Sequence, residues 1–536
     1  MQTKNIFKHN NTSKARVFLG LCCVFGYSVV FAQQTKLDSI NLDAQEKEFR
    51  IKHPEIFWTS PLEFTETNVF YNFQKLNFKR TQTPSEISEV GFGSKGVFAV
   101  KPNLILSGEL RVSSENEKAV PFILTDERTT NQNYISNPAY FYAPRESDWM
   151  KQHYYLSGSM AYKPIDRLII GADVRGEFSK SYSNRDPRPE IGNFDYHVDA
   201  KIGYQWNKHS IFAKAGYFNR KKESDISYSN PDRNVPNFYE SYIRFNRGYG
   251  NYYYNNGYSE NTYHYDGLAL GAEYMYRTSK HQFLLGYRNE FYIDRFTRLY
   301  TYQIRDENNV LRTYRDRQKI AGLRTDKHSV YANYLGNLGQ WKWSSDLNIT
   351  DQEDLNFDYQ NLNISYKVLN QNLSWRNSWS KYNSKNELFR LNFNANVGKM
   401  DLQDVSVVMH KKLSFLDYSI GGEKEFFVKS NQKIAVEVQQ GLYLPLQSTM
   451  DYRPYQSSQE NIFVQNIVMP DQFYDSSMKM QFGLKLKYLM DIENVRYEIF
   501  ATGNQWFFVK NVNDLYKTSY NTNSNQMLSV GINFYY

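Results

Sequence analysis

The sequence has almost no cysteine and no long apolar run beyond its amino-terminal segment. Its two cysteines, Cys22 and Cys23, both lie in that segment of the 536-residue chain. No later stretch approaches the roughly 18 consecutive apolar residues of a membrane-spanning helix, and the mean hydropathy is −0.68. Spanning helices are therefore excluded, and an exported chain without disulfides needs another device to close its fold.

The amino-terminal segment is typical of a secretory signal peptide, residues 1–32. An apolar run over residues 17–30 ends before the small residue Ala32. Four basic residues precede it: Lys4, Lys8, Lys14 and Arg16. The run is too short for the alternative, a membrane anchor. We therefore expect an exported protein whose mature chain begins at Gln33.

The chain has only a small excess of basic over acidic residues, whereas aromatic residues are abundant. Without residues 1–32 the chain keeps 60 basic and 56 acidic residues, a net charge of +4 that gives no support for nucleic-acid binding. Aromatic residues make up 17% of the chain, with 45 tyrosines. A soluble domain uses so many only as a large binding surface, whereas membrane barrels place aromatic girdles at both lipid boundaries. Composition therefore favours a barrel.

Alternation with a period of two residues recurs along the chain. From Leu168 to Phe178, apolar or small residues alternate with charged ones, so that one face suits lipid and the other suits water. Similar segments include residues 104–112, 154–162, 196–206, 268–276, 283–291, 418–426, 434–442, 482–488 and 495–501. Short polar turns join them in pairs, and long connections separate the pairs: 114–151, 179–195, 221–262, 294–325 and 447–476. This asymmetry predicts an all-β transmembrane antiparallel β-barrel of roughly 16–20 strands, with short periplasmic turns and long extracellular loops.

The start and the end of the alternation define the expected organisation. Residues 33–68 form a short N-terminal periplasmic segment, and residues 69–536 form the barrel. The last strand carries Gly531, Phe534 and Tyr536, which resemble the insertion signal of outer-membrane barrels. We therefore expect a location in the cell outer membrane. The expected partners are outer-membrane lipid, lipopolysaccharide and the barrel assembly machinery.

Several motifs resemble a family of outer-membrane β-barrels of unknown function from Bacteroidota. The resemblance runs from about Phe64 to the end of the chain. It rests on the Gly-Phe-Gly segment at residues 91–93, on residues 182–189 with their Asp-Pro-Arg-Pro run, and on the terminal Phe-Tyr-Tyr. The resemblance implies a fold and a location, and it carries no catalytic residues.

The short N-terminal segment separates this chain from TonB-dependent transporters. That class resembles a barrel of about 22 strands with a globular plug. Residues 33–68 amount to 36 residues, and chains below ~40 residues rarely fold unaided. We therefore expect at most a partial plug.

Charged residues alternate onto the face predicted to line the lumen. These candidate lumen charges are Glu109, Arg111, Asp173, Arg175, Glu177, His197, Asp199, Lys201, Glu273, Arg288 and Glu290. Same-face neighbours lie about 7 Å apart, so we expect opposite charges to pair along a strand: Glu109 with Arg111, Arg175 with Glu177, and Arg288 with Glu290.

Two histidines in this pattern bear on catalysis. His197 with Asp199, and His264 with Asp266, have the spacing of a general base held by a carboxylate on an inward face. A lumenal charge network explains the same residues without catalysis. No nucleophile, phosphate-loop or metal-spacing motif accompanies them. We therefore expect no enzyme, no metal and no cofactor.

Two predicted loops have unusual compositions. The first carries tyrosines that could bind sugars or apolar ligands by stacking, or pack on each other over the barrel mouth: Tyr249, Tyr252, Tyr253, Tyr254 and Tyr258. The second carries arginines that suit lipopolysaccharide phosphate or an anionic solute, although nearby acidic residues could equally pair with them in a solvated loop: Arg295, Arg298, Arg305, Arg312, Arg315, Arg317 and Arg324.

Two functions remain open at this point. The first is a porin-like or gated passage for an unknown small solute, with the tyrosine-rich loop as its main obstruction. The second is a non-enzymatic barrel subunit or scaffold of a surface complex with a lipoprotein, a TonB-dependent transporter or a secretion apparatus.

Overall fold

A computed structural model describes most of the chain after residue 43. The described residues are 44–128, 137–235, 237–246, 248, 252–254, 259–307, 309–359, 362–383, 386–406, 408–453, 460–492, 495–510 and 524–536. The predicted signal peptide and cleavage site lie outside these residues.

The described chain is almost entirely β-structure. Its strands are β1 Phe64–Leu76, β2 Glu86–Lys101, β3 Leu104–Val120, β4 Tyr140–Tyr142, β5 Ser147–Ile165, β6 Leu168–Ser183, β7 Arg188–Trp206, β8 His209–Ser227, β9 Arg244–Asn246, β10 Tyr252–Tyr254, β11 Ser259–Arg277, β12 His281–Arg305, β13 Leu311–Leu338, β14 Trp341–Asp358, β15 Tyr366–Asn383, β16 Asn386–Asp404, β17 Met409–Lys429, β18 Gln432–Tyr452, β19 Met478–Ile492, β20 Val495–Lys510 and β21 Ser524–Tyr535. Two helices accompany them, α1 Ala44–Lys52 and α2 Met469–Asp475.

Eighteen of the described strands form one antiparallel sheet that closes into a barrel. Strand β1 pairs with β2 on one side and with the last strand, β21, on the other. The closing register sets Val69 opposite Ile532 and Phe70 opposite Gly531. Closure leaves no sheet edge with unpaired backbone groups facing lipid. The predicted antiparallel barrel and its strand number are confirmed.

The outer face of the barrel is apolar. Leu156, Val174, Leu268 and Leu270 are each more than half exposed, and the residues between them point into the barrel. An exposed apolar belt around a closed barrel is the surface that a bilayer covers. The barrel therefore belongs in the outer membrane.

Connection lengths differ between the two ends of the barrel. One end has tight turns, such as residues 102–103, 166–167 and 207–208, and the other has the long connections. The end with tight turns is the periplasmic end in barrels of this kind, and β1 begins there while β21 ends there.

Three sequence-based boundaries need correction. The barrel begins at Phe64 rather than Val69. The first residues of β1 are polar on both faces: Glu66 and Asn68 point into the lumen, and Thr65 and Thr67 on the other face are not apolar, so the alternation is not visible there. Residues 294–325 are mostly strand: β12 and β13 continue past their neighbours as a ribbon, in which β12 ends at Arg305 and β13 begins at Leu311. Residues 179–195 are also mostly strand, since β6 and β7 leave only residues 184–187 between them.

The segment before β1 folds inside the periplasmic end of the barrel. Helix α1 has two ion pairs between successive turns, Glu46 with Arg50 and Glu48 with Lys52, which stabilise a short helix. Pro54 cannot continue the helix and begins a 3-10 turn, Pro54–Trp58. Buried side chains of α1 and this turn pack against wall residues beside the tight turns: Phe49 and Ile56 against Ile169, Phe212, Met275 and Leu284. We call residues 44–63 the plug.

Three extracellular connections fold over the other end. Strands β4, β9 and β10 form a small separate sheet. Phe141 and Phe245 of this sheet pack on Phe296 of the barrel wall. A π-helix, Glu460–Val468, runs into α2 and packs Phe463 against Tyr142. We call residues 137–146, 237–246, 252–254 and 460–475 the lid. Among the described residues, no helix is long and apolar enough to cross a membrane.

Candidate functional site in the barrel lumen

The strongest tie between the plug and the wall is a buried ion pair. The Lys201 ammonium on β7 donates to both carboxylate oxygens of Glu55, at 3.0 and 2.9 Å, and both side chains are fully buried. Arg277 on β11 donates to the Glu55 carbonyl oxygen at 2.5 Å. Burial alone would raise the pKa of the Glu55 carboxyl, but the Lys201 charge and His53 hold this pKa well below its ordinary value. Glu55 is therefore a charged anchor.

A second anchor lies at the seam where the barrel closes. Lys47 of α1 donates to Glu66 of β1 at 2.9 Å, and its ammonium lies 3.9 Å from the centre of the Tyr535 ring on β21. Burial lowers the pKa of Lys47, and the Glu66 charge opposes this shift. One plug side chain thus contacts both strands of the seam.

Neutral hydrogen bonds complete the attachment of the plug. The Ser107 hydroxyl donates to the Ile51 carbonyl at 2.6 Å, and the Trp58 indole donates to the Pro102 carbonyl at 2.9 Å. Across the lumen, the Ser344 hydroxyl donates to Gln45 at 2.8 Å. The plug therefore contacts opposite sides of the wall through polar groups as well as through its buried apolar side chains.

Three possible metal ligands meet beside the first anchor. One ligand atom from each of His53, Glu55 and Glu273 lies within 4.8 Å of the others. However, Glu55 already binds Lys201, and Glu273 accepts from Lys214 at 3.0 Å. A divalent cation would have to compete with two ammonium groups, so the arrangement serves as a buried charge network between plug and wall.

A polar cavity of about 310 Å³ lies in the lumen beside the closing seam. Its lining combines charged, amide and aromatic side chains: Glu66, Asn68, Phe70, Asn72, Lys95, Glu109, Arg111 and Phe500, with Gly93, Ser94 and Ser529. Glycines on the wall make room for the rings. A Cβ atom at Gly91 would lie 2.3 Å from the Phe70 ring, and one at Gly531 would lie 2.7 Å from the Phe500 ring.

A family model matches residues 57–536, and its description is "Family of unknown function (DUF6850)". The chain belongs to this family. A search of curated proteins gives no match.

Solved structures similar to this member of the family are large outer-membrane proteins. The ferric preacinetobactin receptor BauA of Acinetobacter baumannii is 10% identical with a TM-score of 0.36, over 89% of this chain and 80% of that one. The ferric yersiniabactin uptake receptor FyuA of Yersinia pestis is 8% identical with a TM-score of 0.39, over 88% and 79%. Pseudomonas aeruginosa OccK9 is 10% identical with a TM-score of 0.35, over 88% and 97%.

The Gly-Phe-Gly segment and Gly531 of the last strand both contribute to the cavity wall. Gly91 and Gly93 of the Gly-Phe-Gly segment lie on β2, where Gly91 accommodates Phe70 and Gly93 lines the cavity. Gly531, expected to be part of an insertion signal, accommodates Phe500. Of its two companions, Phe534 packs edge-on against Tyr497 at 5.5 Å. The Tyr536 N–H donates to the Thr65 carbonyl at 3.0 Å.

The expected charge pairs along single strands are mostly replaced by contacts between strands. Arg288 does contact Glu290, at 2.8 Å, but it also reaches Asp199 at 2.8 Å. The expected pair of Glu109 with Arg111 is wrong, because Arg111 binds Glu89 of β2 at 2.9 Å.

Arg175 and His197 also have partners other than those expected. Arg175 contacts His197 of β7 at 2.8 Å rather than Glu177. His197 contacts Asp195 at 2.9 Å rather than Asp199. Directly opposite residues on neighbouring strands lie closer than residues two apart on one strand, and Arg175 is directly opposite His197. Asp173 shares the inward face of β6 with Arg175 and Glu177.

His264 and Asp266 do not face the lumen. They share the face of β11 that carries the exposed Leu268 and Leu270, so they lie on the outside of the barrel. There Asp266 accepts hydrogen bonds from Arg295 at 2.9 Å and from Asn219 at 2.6 Å. The expectation of an inward base at this position is wrong, because the lipid-facing register of β11 continues through it.

The structure places the residues of the two loops of unusual composition in different elements. Tyr252, Tyr253 and Tyr254 form β10 of the lid sheet, whereas Tyr249 and Tyr258 lie outside the described residues. The arginines lie along the β12–β13 ribbon and its base. Arg312 pairs with Asp306 at 2.8 Å and Arg317 approaches Glu260 at 3.9 Å, while Arg298 and Arg324 lie over the rings of Tyr300 and Phe291. Neither the plug contacts nor the cavity residues Glu66 and Phe500 could be identified from the sequence pattern.

Proposed function

We propose that this barrel is a gated passage for a small solute across the outer membrane, with the plug in its periplasmic end and the lid over its extracellular end. The observation that carries the proposal is the polar cavity of about 310 Å³ within the lumen. A wall of about 16–18 strands is wide enough for an aqueous channel, and the plug and the lid occupy its two ends.

The plug has the properties of a gate that can move. It contributes no strand to the barrel, so that it can leave the lumen without breaking the hydrogen-bonded wall. Ion pairs and hydrogen bonds hold it together with a small apolar cluster, and water can replace the polar partners when the plug is released. The lid, in contrast, buries several aromatic rings, which would be exposed on opening.

Planar-bilayer conductance tests the proposal. We expect deletion of residues 44–58 to raise single-channel conductance, because the periplasmic end of the lumen then opens. Deletion of residues 249–258 alone, in the connection that contains β10, should leave the conductance unchanged. Combined with the plug deletion, it should raise the conductance further. If both deletions together leave the conductance at the level of the bare bilayer, the passage proposal is wrong.

One observation favours the second function, a scaffold for a surface complex. The β12–β13 ribbon extends beyond its neighbouring strands, and Tyr302 and Tyr314 stack across it at 5.8 Å while each remains 42% exposed. Exposed tyrosines are common at protein interfaces. Pull-down in mild detergent with the ribbon residues 299–317 deleted, compared with the full chain, would identify a partner that depends on the ribbon.

We further propose that the protein comes from a member of the Bacteroidota, that a signal peptide is cleaved before Gln33, that the barrel assembly machinery inserts the barrel, and that the protein is not an enzyme. Amino-terminal sequencing of the protein from the outer-membrane fraction tests the cleavage site.

A further inference from the structure

The cavity beside the seam has an uneven distribution of charge partners. Glu66 binds two ammonium groups, Lys47 at 2.9 Å and Lys95 at 3.6 Å. Glu109 also lines the cavity, and within the part of the chain that the structure describes its carboxylate has no ion pair or hydrogen bond. A carboxylate in such a place is ready to accept a cationic group from a solute.

Lys95 and Glu109 form an adjacent pair of opposite charges. They are directly opposite each other in the register of β2 and β3, which sets their Cβ atoms about 5 Å apart. Lys95 nevertheless leans towards Glu66, at the long distance of 3.6 Å. The cavity thus offers a loosely held ammonium beside an unpartnered carboxylate.

Apolar and amide groups surround this pair. The rings of Phe70 and Phe500 line the cavity where glycines let them lie against the wall, and Asn68 and Asn72 add amide groups. The volume is at the lower end of the range for small-molecule sites, about 300–1,000 Å³. A small solute with adjacent opposite charges and an apolar side chain fits this lining.

We propose that the cavity binds a zwitterionic solute, a free amino acid or a very short peptide with an apolar side chain. The inference rests on the proposed passage and names its solute class. The ammonium of the solute donates to Glu109, its carboxylate accepts from Lys95, and its side chain packs on Phe500. A solute with net negative charge meets Glu109, and one with net positive charge meets Lys95 and Arg111, so that each leaves one charge of the cavity poorly paired.

Equilibrium dialysis of the full purified chain in detergent tests this proposal with four matched probes. These are phenylalanine, its amide without the carboxylate, its N-acetyl form without the ammonium, and the form blocked at both ends. We expect phenylalanine to bind about tenfold to a hundredfold more tightly than any blocked form, since each block removes one charged hydrogen bond.

Two substitutions assign the two charges. Glu109→Gln should weaken phenylalanine binding about tenfold or more and leave N-acetyl-phenylalanine unaffected. Lys95→Met should weaken phenylalanine similarly and leave the phenylalanine amide unaffected. Glu115→Gln is the matched control, because Glu115 lies on the same strand and binds Lys151 at 3.5 Å outside the cavity lining. Retained heat-modifiability on gels shows that each variant is a folded barrel.

The results separate this inference from the proposed passage. Equal binding of phenylalanine and its doubly blocked form, or no binding of any probe, would overturn the zwitterion site. Tight and selective binding of phenylalanine without conductance in the double deletion would support the site and overturn the passage. Conductance without selective binding would support the passage and overturn the site.

Discussion

At the periplasmic end of the lumen, a single segment of about twenty residues meets the wall through buried ion pairs, such as Lys201 with Glu55 and Lys47 with Glu66, and through a small apolar cluster. At the extracellular end, parts of three loops meet the wall through a larger set of aromatic rings, and Asp475 adds buried ion pairs with Arg80 and Lys411. Phe245 lies 4.8 Å from Phe141 and 4.9 Å from Phe296, measured between ring centres, and is fully buried.

The difference concerns reversibility. When a polar contact opens, water takes the place of each partner, so the net free energy of the contact is small. Removing only one partner by substitution is costly, because the other partner then stays buried and unpaired. An apolar contact loses free energy in proportion to the area exposed. We infer that the plug is the end that opens in function and that the lid keeps its packing while this happens.

The largest expected effect comes from breaking the buried pair on one side only. Lys201→Met leaves the Glu55 carboxylate without its ammonium in a buried place, which costs about 3–5 kcal/mol. We expect the plug to leave the lumen. A cysteine introduced as Ile51→Cys, at a buried plug position, should then react with a maleimide much faster than in the otherwise unchanged chain.

The double variant Lys201→Met with Glu55→Gln sharpens this prediction. Without a buried charge on either side, the plug should return towards the protected state, and labelling at position 51 should slow again. Fast labelling in the double variant would show that Lys201 supports the plug by packing rather than by its charge.

A smaller effect is expected at the lid. Phe245→Ala removes a fully buried ring and should destabilise the lid by about 3 kcal/mol, with faster hydrogen exchange at residues 140–142 and 244–246. Phe238→Ala is the matched control in the same loop, because Phe238 is 51% exposed. We expect no change at plug residue 51 in either variant. Faster labelling there would mean that the two closures open together.

The barrel could be predicted from the sequence because each wall position obeys one local rule. Alternation puts Leu268 and Leu270 on the lipid side and Arg288 and Glu290 on the lumen side, whatever their partners are. The plug could not be predicted in this way. Glu55 and Lys201 are 146 residues apart in sequence, and α1 has no long apolar face that would announce its burial.

The cavity shows the same limit at the level of single residues. Glu109 lines the cavity, but it does not pair with Arg111, because Arg111 reaches Glu89 on the neighbouring strand. Which charges remain unpaired depends on side-chain contacts between neighbouring strands, and alternation along one strand does not contain that information.

The pH dependence should distinguish the two ends. The pKa of Glu55 is held below its ordinary value of 4.5, so its contribution to docking is present above that value and is lost as the pH falls through the lower folded-state pKa. Burial raises the pKa of Asp471 in the lid from 3.8 to about 6. Its contribution is therefore fully present below pH 3.8 and is lost as the pH rises through about 6.

Between pH 5 and 7 we thus expect the lid to loosen while the plug stays docked. Hydrogen exchange at residues 469–475 should speed up over this interval, and labelling at residue 51 should not. Asp471 accepts from the Thr81 N–H at 2.8 Å, and the charges of Arg80 and Lys411 oppose its shift while Asp475 adds to it. Asp471→Asn should flatten the pH profile, and an unchanged profile would assign the loosening to another group.

The smallest expected effect comes from an ion pair on the plug itself. Lys52 binds Glu48 at 2.7 Å, but the two side chains are 64% and 41% exposed. Exposed pairs contribute at most about 0.5 kcal/mol, so Lys52→Ala should leave the labelling rate at residue 51 within about twofold of the unchanged rate. The Lys52 pair is exposed and lies within the plug, whereas the Lys201 pair is buried and joins the plug to the wall. Equal effects of the two substitutions would therefore contradict the view that the buried charge between plug and wall holds the plug in the lumen.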